Sequence, residues 1–283
     1  SGLIGTALVD FLLQKNCKVL ALGRNIEKAA KRFGKYINNK NFSFVQHDIN
    51  NKLNFSGNYD FVIHLASNTH PLDYANDPVG TINTNIIGLN NMLQFACENK
   101  AERFLFASSV EVYGENRGDT EFFDEDYCGK INISRARSGY PESKRCGETL
   151  CLSYMQQFGL NVVIPRFSRT YGPTMQENDS KAIAQFIKKG IAGENIILKS
   201  SGEQLYSYSY YADALSALLV ILIQGENGTA YNVSDLNSDI KLKDLAKLIA
   251  DYSGTKIIFE NPDEIEQKGY SQATKARLDS TRL

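Results

Sequence analysis

The chain has 283 residues, 42% of them apolar, enough for one large or two modest domains around a sizeable core. A formal net charge of −1 gives no electrostatic case for nucleic acid or an anionic membrane, and no apolar run approaches the roughly 20 residues that span a bilayer. Five cysteines, an odd number with no C-x-x-C pair, point to reduced thiols and a cytoplasmic setting, while His47, His64 and His70 stand at no metal-ligand spacing, so no metal site is expected.

In chain order, Gly2-Leu3-Ile4-Gly5 leads into Ala7, Leu8, Phe11 and Leu12, a glycine-rich turn entering an amphipathic helix. Glycines let a phosphate approach the backbone, and a helix N-terminus supplies unpaired N–H groups and positive potential. The strand that should precede such a turn is absent from the sequence. The first residue is Ser1 rather than Met, so the natural chain is expected to begin upstream. Apolar runs predict strands over 18–22, 41–46, 59–66, 104–107 and 162–165, with helices over 26–33, 78–99 and 143–158 between them. That alternation implies parallel βαβ units with right-handed crossovers, a doubly wound α/β sheet. Beyond Pro173 the segments are shorter and more polar. Helices are predicted over 179–190, 213–224 and 242–252 and a strand over 196–199, a smaller α/β lobe over the strand ends. Segments near 206–235 are expected to return to the main sheet. The tyrosines between Tyr206 and Tyr211 read as packing within the lobe.

Two stretches carry chemistry. Phe104-Leu105-Phe106-Ala107 reads as a buried parallel strand. The hydroxyls of Ser108-Ser109-Val110-Glu111-Val112-Tyr113-Gly114 therefore fall at its carboxyl end, where open α/β sheets place their ligands. Tyr140 and Lys144 are four apart, which on a helix sets them on one face. A lysine ammonium beside a phenol favours the phenolate, so Tyr140 is expected to act as a base below its ordinary pKa of about 10. Serine, tyrosine and lysine together make a proton-transfer set for a carbon-bound alcohol.

These motifs run in order through the chain: the truncated Gly2…Gly5, Asp48, His64-Leu65-Ala66-Ser67, Thr84-Asn85 with Gly88, S-x-x-V-Y-G, Y-x-x-x-K, and Arg166…Tyr171-Gly172-Pro173. Together they resemble the extended short-chain dehydrogenases/reductases, the NAD-dependent epimerase/dehydratase family active on nucleotide sugars. The sequence looks most like the UDP-glucuronate decarboxylases and dTDP-glucose 4,6-dehydratases within it. The resemblance implies a dinucleotide-binding Rossmann-type domain over 1–172 and a substrate lobe over 173–283. It also implies NAD or NADP as cofactor and a nucleotide-diphosphate sugar as substrate. A homodimer through the helices at 78–99 and 143–158 follows from the same resemblance.

The resemblance also assigns roles. Gly2, Leu3, Ile4 and Gly5 would line the cofactor pyrophosphate, Asp48 and Ile49 the adenine, and Leu65, Ala66, Ser67 and Asn85 the rest of the dinucleotide. Tyr140 would be the base, and Lys144 would hold the nicotinamide ribose. Ser109 would bond the sugar C4 oxygen and Glu111 would act on C5. Arg137, Arg169 and Arg277 are the candidate substrate contacts, the last two toward a diphosphate.

Four positions depart from the pattern. Val110 replaces the acid of the dehydratases, Tyr206 the arginine of the decarboxylases, and Arg169 an asparagine. Gly23-Arg24-Asn25 replaces the acid that holds the ribose 2′-hydroxyl in NAD-specific members, and Arg24 would suit a 2′-phosphate. Two other readings stay open: an NADPH-consuming reductase of a nucleotide-linked sugar, and a non-catalytic dinucleotide-binding regulator.

Overall fold

A computed structural model describes residues 2–271 and 273–283. The first half runs α1 (Leu3–Gln14), β1 (Val19–Gly23), α2 (Ile26–Phe33), β2 (Phe42–Gln46) and β3 (Phe61–His64). It continues through α3 (Pro71–Asn76), α4 (Pro78–Asn83), α5 (Leu89–Glu98), β4 (Arg103–Phe106), β5 (Ser108–Ser109), α6 (Gly139–Phe158), β6 (Val162–Phe167) and β7 (Arg169–Tyr171). The second half runs α7 (Ala182–Ile191), β8 (Ile196–Leu198), β9 (Leu205–Tyr206), β10 (Tyr208–Tyr210), α8 (Tyr211–Gln224) and β11 (Thr229–Val233). It ends with β12 (Ile240–Lys241), α9 (Leu242–Ser253), β13 (Ile257–Phe259), α10 (Glu264–Gly269) and β14 (Lys275–Ala276).

The main sheet is parallel in the order β11-β6-β4-β3, with β5 also on β6. Its central strands are apolar on both faces, as sheets covered by helices on each side require. Phe104, Phe106, Val162 and Ile164 meet Leu89, Leu93 and Cys151 from α5 and α6. The alternate residues, Leu105 and Val163, meet Ala7, Leu8, Leu215 and Leu218 from α1 and α8 on the other face. This is the doubly wound α/β class that the alternation implied. At Gly147 the fit between α6 and β4 leaves no room for a side chain: a Cβ there would stand 2.7 Å from Phe106 Cζ.

One departure concerns continuity. Among the described residues β1 pairs with β2 alone and β3 with β4 alone, so the sheet falls into two parallel pieces. Residues of both β1 and β3 line the cleft that runs across the molecule. A second concerns the helix expected over 78–99. It is interrupted by a wide π turn over Thr84–Gly88, where the closeness of Gly88 to Ile49 leaves no space for a Cβ. A third is that α6 begins four residues before the expected start, at Gly139.

The lobe has its own core, in which Ile183, Phe186, Ile196, Leu198, Leu245 and Ala246 pack on Tyr206 and Tyr208. On the main-sheet side, a buried polar belt ties α6, β6 and β11 together. Arg166 on β6 forms a bidentate pair with Glu148 (2.9 and 2.7 Å) and donates to Tyr113 (2.9 Å). Tyr113 donates onward to Asn232 on β11 at 2.6 Å. No helix among the described residues is long and apolar enough to cross a membrane.

Candidate active site

The end of β4 delivers Ser108 and Ser109, whose hydroxyls serve different ends. Ser108 donates inward to Glu148 Oε1 at 2.5 Å. Ser109 lines the cleft and accepts the Glu111 N–H at 3.3 Å. The following turn closes at Gly114, whose φ of 71° and closeness to the Lys130 carbonyl exclude a side chain. On the facing element, Tyr140 sits in the first turn of α6 and Lys144 one turn later, both lining the cleft. Ser109 and Tyr74 lie close enough to Tyr140 to act on its phenol. The rings of Tyr140 and Tyr74 stack at 4.6 Å and 30°.

The electrostatics correct one expectation. Burial pushes the Tyr140 phenol above its ordinary value, outweighing the pull of Ser109, Tyr74 and the Arg137 charge. Lys144 is buried too, and desolvation brings its amine down to about 7, with Glu148 and Cys151 opposing. Its Nζ donates to the Ala107 carbonyl at 2.8 Å and stands 5.9 Å from the centre of the Tyr140 ring. The structure therefore gives no support to a phenol depressed by Lys144; burial controls both groups.

Glu111 and Arg137 form an ion pair at 3.0 Å with side chains 17% and 8% exposed. Arg137 also donates to the Gly269 carbonyl at 2.9 Å and lies 4.3 Å over the Tyr74 ring. Burial alone would raise the Glu111 carboxyl, but Arg137 and Arg169, with a hydrogen bond from Ser271, hold it below its ordinary value. A carboxylate so stabilised is a poor base, which weakens the expected role of Glu111 at C5. Arg169 lines the cleft with its guanidinium 3.3 Å over the Tyr206 ring.

Of the cofactor candidates, Gly2, Leu3, Ile4, Gly5, Arg24, Asp48, Ile49, Leu65, Ala66 and Ser67 line the same cleft. The first intrahelical bond of α1 runs from Thr6 N to Gly2 O, so the N–H groups before it face the cleft without helical partners or a side-chain cap. A Cβ at Gly2 would meet nothing within 4 Å, so the turn is open to approach. Arg24 and Lys28 add positive charge beyond the end of β1. An open glycine turn, a bare helix N-terminus and two cations fit a ligand with phosphates.

Two of the expected site residues stand outside the cleft lining. Asn85 does not line the cleft; it is fully buried, accepting from Ser67 at 2.7 Å and donating to Ser143 at 2.9 Å. Ser143 in turn donates to the Tyr140 carbonyl at 2.8 Å. Asn85 thus ties the cleft wall to the start of α6. Arg277 also lies outside the cleft lining, paired with Asp239 at 2.7 Å and with Glu121, over the Phe122 ring. Sequence reasoning missed Tyr74 and Lys28, which belong to no motif. Pro71 at a helix start was the available signal for the helix that carries Tyr74.

Comparisons with known proteins add to this geometry. The model of a family described as "NAD dependent epimerase/dehydratase family" matches residues 1–234. UDP-glucuronic acid decarboxylase 6 of Arabidopsis thaliana is 32% identical over 272 residues, covering 95% of this chain and 78% of the relative. UDP-glucuronic acid decarboxylase 1 of Xenopus tropicalis is 32% identical over 222 residues, covering 78% of this chain and 52% of the relative. The present chain thus matches about half the length of the Xenopus protein. Among solved structures, UDP-glucuronic acid 4-epimerase from Bacillus cereus, in complex with UDP-glucuronic acid and NAD, superposes with a TM-score of 0.82. It is 21% identical, with 99% of this chain and 88% of that one covered, a likeness of fold.

Proposed function

Since the chain belongs to the NAD dependent epimerase/dehydratase family, we propose that it modifies a nucleotide-diphosphate sugar through a transient 4-keto intermediate. The observation that carries the reading is the convergence of Ser109, Tyr140 and Lys144 in one cleft with the open turn at Gly2–Gly5. Gly2, Leu3, Ile4 and Gly5 would hold the phosphates of NAD, Asp48 and Ile49 its adenine end, and Lys144 its far ribose. When bound, NAD supplies a hydride acceptor that returns the hydride within the turnover.

The protein's own part is proton handling and placement. Ser109 bonds the C4 oxygen, and Tyr140 takes the C4 hydroxyl proton. The Ser109 bond favours the phenolate during that step. Tyr74 stacks on Tyr140 and fixes its plane. A ketone at C4 then acidifies the C5 hydrogen or lets a C5 carboxylate leave as carbon dioxide. Epimerase, dehydratase and decarboxylase are the branches of this reading.

Incubation with NAD and a panel of nucleotide sugars, with product masses read, tests it. Loss of carbon dioxide marks decarboxylation, loss of water marks dehydration, and an unchanged mass with altered stereochemistry marks epimerisation. No turnover of any nucleotide sugar would contradict the proposal. Steady consumption of reduced dinucleotide would favour the reductase reading suggested by Arg24.

The reading extends to a homodimer through the outer faces of α5, α6 and the π turn, where Ile87, Leu152 and Phe158 are exposed. It also extends to a cytoplasmic setting, supported by five cysteines, an odd number with no C-x-x-C pair.

A further inference from the structure

A surplus of positive charge stands beside the reacting tyrosine. Arg137 and Arg169 both act on one carboxylate, Glu111, and Arg137 takes that carboxylate in its ion pair. Arg169 is left with a buried Nη1 that has no hydrogen-bond partner among the described residues. A buried guanidinium N–H without an acceptor is costly, so an acceptor brought by a ligand would be favoured there. The guanidinium is also held in place, 3.3 Å over the Tyr206 ring, so it is organised before any ligand arrives.

The position narrows the ligand. Arg169 acts on Glu111, Glu111 bonds Arg137, and Arg137 lies over Tyr74, which stacks on Tyr140. Glu111, Arg137 and Tyr74 by contact, and Arg169 by its charge, thus stand around the group that handles C4, so the surplus charge belongs to the sugar ring. The phosphate-binding features described above, the open turn at Gly2 with Arg24 and Lys28, lie on other elements of the cleft.

Resting on the proposed function, we infer that Arg169 is the specificity-determining residue for a carboxylate on the sugar, receiving it through Nη1. The substrate class is then a nucleotide-linked uronate. Arg169 supplies the anion's partner from β7, stacked over Tyr206.

Binding of UDP-glucuronate, UDP-glucose and UDP to the NAD-loaded protein tests this, in the wild type and in Arg169→Gln and Arg169→Lys, each checked for an unchanged thermal transition. The wild type should prefer UDP-glucuronate over UDP-glucose, a comparison that needs no variant. Arg169→Gln should weaken UDP-glucuronate on the order of tenfold or more, as for loss of a charged hydrogen bond. UDP-glucose and UDP should be unchanged, and Arg169→Lys should recover part of the loss. Equal weakening of all three probes would move Arg169 to the diphosphate and overturn the inference. So would a wild type indifferent to the carboxylate, while leaving the broader reading intact. A wild type that binds none of the three would defeat both.

Discussion

Glu111 and Arg137 stand at opposite ends of the segment that links β5 to α6 yet meet at 3.0 Å, both largely withdrawn from solvent. Removing one partner of such a pair strands the other. Glu111→Ala should therefore cost about 3–5 kcal/mol of stability, and Glu111→Gln less, because the amide still accepts from Arg137. The carboxyl is held below its ordinary value of 4.5, so the unfolded chain binds more protons in the acid range. The stability it contributes is fully present above that value and lost as pH falls through the lowered folded one. Urea unfolding of wild type and Glu111→Gln across the acid range checks this: the gap between them should narrow as pH falls.

Lys144 reports the opposite chemistry. Its folded value of about 7 lies below the ordinary 10.5, so the folded protein releases this proton earlier than the unfolded chain. Between those two values the unfolded state binds more protons, and stability rises with pH. Lys144→Met should lose that rise and should gain most over wild type below pH 7. Parallel stability curves for the two proteins would show that Lys144 is not desolvated in this way.

Asn85 is a structural tie, and its substitution should read as one. Asn85→Ala removes the fully buried amide that joins the half-buried Ser67 hydroxyl to the buried Ser143 hydroxyl. A cost of roughly 2–4 kcal/mol is expected in chemical denaturation. The loosened start of α6 should also lower turnover more than it lowers dinucleotide affinity, since Ser143 bonds the Tyr140 carbonyl.

Arg24 lines the cleft just after β1. Arg24→Ala should weaken NADP by roughly tenfold, as for loss of one charged contact, while leaving NAD unchanged. Titration of both dinucleotides decides it. An unchanged ratio would release Arg24 from any part in cofactor choice.

Local signals made much of this legible in advance. Helix α2 forms over the expected residues because Asn25 caps it, accepting from Lys28 N, and Ala29 and Phe33 bury one face. The buried strands β4 and β6 announced themselves as apolar runs. The start of α6 was misread because Gly139 and Pro141 look like helix breakers, yet a proline in the first turn removes only an N–H that has no partner there. Strands of two or three residues, β7, β9, β10, β12 and β14, were not seen, since distant partners and not their own sequence make them strands. The site divides in the same way. Ser109, Tyr140 and Lys144 fall together because spacing and strand ends fix them. Where Arg277 points was not legible, because Asp239 and Glu121, far away in the chain, decide it. The shifted pKa of Lys144 follows from burial, which no spacing encodes.

The central claim is that Tyr140 handles the proton of a sugar alcohol in this cleft. The measurement is turnover of a nucleotide sugar by Tyr140→Phe, alongside its affinity for NAD. The account predicts a loss of about 10²- to 10⁴-fold in turnover with dinucleotide binding preserved. A variant that turns over at the wild-type rate would contradict it.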